Sequence, residues 1–239
     1  MKDYQGVENI KDFGLIYNKT IMNKKEIINE VIKFVKSELT QNDAGHDWWH
    51  IYRVWNLSKT IWKKEGWNMF IIELWALLHD IADHKFYNWD ETIWPKKARE
   101  ILEKLKVEES IIEHIVKIIE NVSFSKSLDW KREFNSLELQ IVQDADMMDA
   151  IGAIGIARTF VYGWHKWREI HNPNIEPKLN MTKDEYRKDT WPTINHFYEK
   201  LLLLKDKMNT SYWKKMAENR HNYMQWFLEQ FLSEWEGEK

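Results

Sequence analysis

The run MFIIELWALLHDIADHK, residues 69–85, sets the architecture of the chain. From Met69 to Ile81 almost every position except Glu73 is apolar, so the spacing predicts a helix buried on all sides rather than one with a wet face. Its far end carries His79-Asp80. An imidazole and a carboxylate at the end of a helix as apolar as Trp75-Ala76-Leu77-Leu78 are costly to bury unless they are paired or bound to metal. A divalent cation would compensate both.

Upstream, Ile28, Val31, Ile32, Val35 and Leu39 follow a 3.6-residue repeat that begins at Lys25 and breaks at Asn42-Asp43-Ala44-Gly45. A second helix is expected from about Asp47 to Lys64, stopped by Gly66. Downstream, Pro95 suits the first turn of a helix to about Leu105, and Glu108 opens another lined by Ile111, Ile112, Ile115, Ile118 and Ile119. After a polar stretch at 123–136, one long helix is expected from Leu137 to about Tyr162. Its centre, AIGAIGIA at 150–157, lets another helix approach closely, and its two glycines read as packing rather than a hinge. A loop with Pro173 and Pro177 follows, then helices from about 183 to 208 and 212 to 235. No strand-like alternation or internal repeat is present. The expectation is an all-α bundle of about eight helices, with residues 1–22 as an N-terminal extension and 23–239 as one domain.

Composition narrows the function. The 239 residues are 44% hydrophobic and 31% charged, and 35 Lys+Arg against 38 Asp+Glu leave a formal charge of −3, so no basic surface exists for a polyanionic backbone. Dedicated nucleic-acid binding is therefore not expected. With no cysteine, thiolate zinc sites, iron–sulfur clusters and disulfides are excluded; any metal falls to His, Asp and Glu, which fits a reducing cytoplasm. Apolar stretches such as 70–78 and 150–157 fall short of the roughly 20 residues of a membrane span, and no basic-then-apolar leader opens the chain. The 15 Trp residues read as packing rather than as base-stacking platforms. The Leu201–Leu204 run and the last helix would bury within one chain or across a homodimer.

Two further polar clusters lie on apolar helices: GHDWWHIYRV at 45–54 and QDADMMDA at 143–150. His, then His-Asp, then Asp on successive helices resembles the HD-domain phosphohydrolase superfamily. The blocks HDWWHIYRVW, LHDIADHKF, IVQDADMMDAIGAIGIARTFVYG, TINHFYEKLLLLKDKMNT and RHNYMQWFLEQFLSEWEGE are more narrowly similar to its small cytoplasmic bacterial members, from about Met22 to the end. The resemblance implies metal ligands at His50, His79, Asp80 and Asp146, with Asp144 as the rival of Asp146. Asp149, one turn beyond, is read equally as a support for a ligand or as a solvated carboxylate. Such a ligand set suits one divalent ion, Mn²⁺ foremost, with Mg²⁺, Co²⁺, Ni²⁺ or Fe²⁺ as alternatives.

The same resemblance implies a phosphohydrolase acting on a small nucleotide, favouring cleavage of a nucleoside or deoxynucleoside triphosphate to monophosphate and pyrophosphate. Asp83 is the candidate for orienting or deprotonating water, Lys85 and Arg53 for phosphate contact, His46 for acid, phosphate donor or helix cap, and His196 for lining the pocket. His114 and His84 do not complete a second metal's ligands, so the centre reads as mononuclear. A di-iron oxygenase and a non-catalytic nucleotide sensor are the competing classes. The chain departs from its relatives at Met147, where Arg is common, and at Trp75, Trp94, Trp164 and Trp167, where small residues are usual and overpacking is the expected risk.

Overall fold

The computed structural model describes residues 22–39, 47–65, 67–81, 90, 92–122, 134–179 and 191–239. Among them are nine α-helices and no strand: α1 (Lys24–Glu38), α2 (Trp48–Glu65), α3 (Met69–Leu78), α4 (Ile93–Lys104), α5 (Glu109–Val122), α6 (Leu137–Asp149), α7 (Gly152–His165), α8 (Asn195–Glu199) and α9 (Ser211–Trp235). A 3₁₀ segment, Leu201–Lys207, joins α8 to the last loop. The all-α expectation holds.

Local chemistry starts the helices where the pattern predicts. Asn23 and Glu26 form a reciprocal capping box on α1, with Asn23 accepting from the Glu26 amide at 3.0 Å and Glu26 from the Asn23 amide at 2.8 Å. Asp47 accepts from the His50 amide at 2.8 Å at the head of α2, and Asn68 accepts from the Phe70 amide at 3.2 Å at the head of α3. α3 buries Phe70, Ile71, Ile72, Leu74, Trp75, Ala76, Leu77 and Leu78, and packs against α1, α2, α5 and α6. Each Leu or Ile so buried contributes about 1.5–3 kcal/mol relative to exposure. This central helix therefore carries His79 into the middle of the bundle.

The expected long helix over 137–162 is two helices. Ile151 is extended (φ −124°, ψ 163°) and Gly152 adopts φ +75°, a conformation a side chain would strain. Gly152 thus makes a corner, against the packing role expected for both glycines. Gly155 does pack: a Cβ there would sit 2.2 Å from the Ala150 carbonyl oxygen. Replacing it, Gly155→Ala, is expected to cost about 1–3 kcal/mol by forcing the α6–α7 corner open; a thermal melt equal to wild type would refute that packing role. The helix expected over 183–208 is also interrupted. Of its described part, α8 and the 3₁₀ segment are separated at Lys200 (φ −140°, ψ −58°).

Of the four tryptophans that stand where small residues are usual, two pack against each other and two lie at the surface. Trp75 stacks on Trp94 with ring centroids 5.8 Å apart, and the Trp94 indole donates to the Leu78 carbonyl at 2.7 Å. Trp164 and Trp167 lie at the surface, 76% and 85% exposed. Leu201 and Leu204 are buried within the chain. No helix among the described residues is long and apolar enough to cross a membrane.

Candidate metal centre

Three side chains from three helices converge. His50 comes from the first turn of α2, His79 from the residue that caps the C-terminus of α3, and Asp146 from the last turn of α6. Their potential ligand atoms all lie within 4.8 Å of one another. The two imidazoles are buried, whereas the Asp146 side chain is 51% exposed, so the group opens to solvent on the carboxylate side.

The hydrogen bonds fix the protonation of this group. His79 Nδ1 lies 2.7 Å from the Ala76 carbonyl oxygen, an atom that only accepts, so Nδ1 carries the proton and Nε2 a lone pair. His50 Nδ1 lies 2.8 Å from a carboxylate oxygen of Asp149, which assigns its proton to Nδ1 in the same way. The two Nε2 atoms nevertheless face each other at 3.3 Å, and His50 Nε2 is 3.4 Å from Asp146 Oδ1. With both Nδ1 atoms as donors, a hydrogen bond between the facing Nε2 atoms requires a second proton on one of the rings. Burial, and then the adjacent His50 ring, hold His79 below the usual imidazole range, which opposes relief by an extra proton. Two ring nitrogens and an anionic oxygen converging within 4.8 Å of one another fit a cation.

Behind His50 lies a dense ionic layer. Asp149, 1% exposed, accepts from Arg53 Nε at 2.6 Å and Arg53 Nη2 at 3.0 Å, and from Arg158 Nη1 of α7 at 2.7 Å. Burial alone would raise the Asp149 carboxyl; the hydrogen bonds from His50 and Arg53 and the charge of Arg158 outweigh it and hold the group well below the usual carboxylate range. Arg220 of α9 donates to the Met148 carbonyl beside it.

The structure sorts the sequence candidates. Asp144, the rival of Asp146, points away: its buried carboxylate accepts from the amides of Asn209 and Thr210 at 2.7 and 2.8 Å, and from Asn209 Nδ2 and Thr210 Oγ1, both at 2.8 Å. Burial pushes its carboxyl up against these four donors. Asp80 is half-buried in the turn after α3 and close enough for its charge to act on His79, but lies outside the convergent trio. Arg53, expected at phosphate, is instead forked onto Asp149. His196 is not part of the group. Burial, with Lys200 and Arg168 nearby, depresses it to about 3, so it is a neutral ring. His114 on α5 lies 3.4 Å from Glu138 of α6 and edge-on to Phe134, as a packed residue rather than a ligand. His46, Asp83, His84 and Lys85 lie outside the described residues. Sequence reasoning missed Arg158; its one signal was a lone cation interrupting the small apolar run of α7.

An all-α bundle with a His, His, Asp centre drawn from three core helices, in that order along the chain, defines the class. A family model for the HD domain matches residues 48–151, which contain the whole trio and Asp149, and the chain belongs to that family. Among solved structures it is similar to an HD-superfamily hydrolase from Bacillus thuringiensis, at 45% identity over 90% of this chain and 99% of that one, with a TM-score of 0.71. It is also similar to Bacillus subtilis YpgQ solved in complex with ADP, at 32% identity over 89% and 96% of the two chains, TM-score 0.68. The curated YpgQ of Bacillus subtilis (strain 168), described as uncharacterized, is 34% identical over 212 residues, 87% of this chain and 94% of that protein.

Proposed function

We propose that the chain is a metal-dependent phosphohydrolase acting on a small nucleotide, with release of pyrophosphate from a nucleoside or deoxynucleoside triphosphate as its reaction. The observation that carries the reading is the convergence of the His50 and His79 Nε2 atoms and the Asp146 carboxylate on one point open to solvent. An ADP-bound relative and hydrolase neighbours support the nucleotide and the hydrolysis.

In this reading His50, His79 and Asp146 hold one divalent ion, Mn²⁺ by preference, with Asp80 as the fourth ligand. A bound ion of that kind supplies Lewis acidity toward a phosphoryl oxygen and lowers the pKa of water. Asp83 aligns the attacking water, Lys85 offsets charge on the phosphates, and His46 donates to them or to the leaving group. Arg53 serves the centre through Asp149. His196, neutral and buried, shapes the pocket wall rather than binding phosphate by charge. One metal per chain is favoured over a di-iron centre because the described residues contain a single such ligand group. Incubating the protein with Mn²⁺ and a panel of nucleoside triphosphates is expected to release pyrophosphate in step with monophosphate. Release of orthophosphate alone would overturn the assigned bond, and absence of turnover with every divalent cation would overturn the enzyme.

A further inference from the structure

Of the two histidines of the centre, only His50 depends on another side chain for its orientation. His79 is held by the backbone, through the Ala76 carbonyl of its own helix, and no substitution can remove that partner. His50 is held by Asp149, 99 residues away in sequence and at the end of a different helix. A neutral imidazole otherwise exchanges its proton between the two ring nitrogens, and a proton on Nε2 would sit where a metal must bind.

Asp149 is itself immobilised. Its Oδ2 takes the His50 proton, Arg53 Nη2 and Arg158 Nη1, while Oδ1 takes Arg53 Nε. The donors come from α2 and α7, so the carboxylate plane is fixed from both sides. A two-point Arg53 fork sets that plane more strictly than a single contact would.

We propose that Asp149 is the positioning residue of the centre: pinned by Arg53 and Arg158, it fixes the His50 tautomer and ring orientation that aim Nε2 at the metal. The inference rests on the metal centre proposed above and deepens it. Asp149 touches neither metal nor substrate; it acts through His50.

The test uses the full chain with ¹⁵N-labelled histidine, and compares wild type with Asp149→Asn, Arg158→Gln and Asp144→Asn. Without metal, His50 of the wild type is expected to show a protonated Nδ1 and a lone pair on Nε2, and Asp149→Asn is expected to populate the opposite tautomer. Titrated with Mn²⁺, Asp149→Asn should bind about 10–100-fold more weakly, as loss of an outer partner of a ligating histidine does. Arg158→Gln, which keeps the carboxylate but loosens it, should show a smaller loss in the same direction and stands in if Asp149→Asn does not fold. Asp144→Asn, a buried carboxylate on the same helix that faces α9, should lower the melting temperature yet leave Mn²⁺ affinity and the His50 signal as in wild type. An unchanged tautomer with Mn²⁺ affinity within twofold of wild type in the Asp149 variant would overturn the proposal. If wild type binds no Mn²⁺, the metal reading fails, while the tautomer comparison still decides whether Asp149 governs His50.

Discussion

The His79→Ala variant is expected to lose Mn²⁺ binding by more than about 100-fold, since removal of a ligand must exceed the 10–100-fold cost of losing only its outer partner. Turnover should vanish with it. The effect on the fold should be smaller than that of an ordinary core truncation. Without metal, wild type buries the His79 ring with its Nε2 3.3 Å from that of His50, and truncation relieves the desolvation of that ring. The melting temperature of the metal-free variant should therefore stay near that of metal-free wild type. The difference appears on adding Mn²⁺. At 100 times the dissociation constant, binding stabilises the native state by about 2.7 kcal/mol, which for a chain of this size raises the melting temperature by roughly 5–11 °C. The variant should show no rise. A Mn²⁺-dependent shift of equal size in wild type and His79→Ala would place the ion elsewhere.

Asp144→Ala should be the most destabilising carboxylate substitution away from the centre. Asp144 joins α6 to the start of α9 by accepting four hydrogen bonds, two from backbone amides of Asn209 and Thr210 and two from their side chains. Thr210 is buried, so its amide and hydroxyl find no water when the carboxylate goes. Each buried donor left without a partner costs about 1–3 kcal/mol. Relief of the desolvation that raises the Asp144 carboxyl offsets part of this, leaving a net loss of about 2–4 kcal/mol. Differential scanning calorimetry should then show a melting temperature lower by about 5–15 °C. Because Asp144 faces away from His50, the Mn²⁺-dependent rise should persist. A melt like that of wild type would contradict the view that Asp144 anchors α9.

These two residues also show what was legible in the sequence. Asp144 and Asp146 are separated by two positions, and a helix turns them to different sides; the sequence favours Asp146 as the ligand and keeps Asp144 as its rival, but does not say which helix each meets. His79 was legible because the apolar run before it is continuous, making an imidazole there expensive without a partner. The α6–α7 corner was hidden for the opposite reason. AIGAIGIA reads as a close-packed continuous helix, and the corner rests on Ala150 and Arg220 crowding the glycines in three dimensions. Arg53 was read as a phosphate contact because its neighbour His50 is a ligand candidate. Its real partner lies 96 residues downstream, and no local pattern encodes a pair at that separation. Trp75 and Trp94 read as a risk of overpacking singly, yet as a stacked pair they fill one space between them.

The metal centre is one point in space, where His50 Nε2, His79 Nε2 and the Asp146 carboxylate converge. Crystals soaked in Mn²⁺ and measured for anomalous scattering test it directly. The account predicts one strong peak per chain at about 2.0–2.4 Å from all three of those ligand atoms, distances normal for a divalent ion on nitrogen and oxygen. No peak there, with Mn²⁺ bound at another group of carboxylates or not at all, would contradict it.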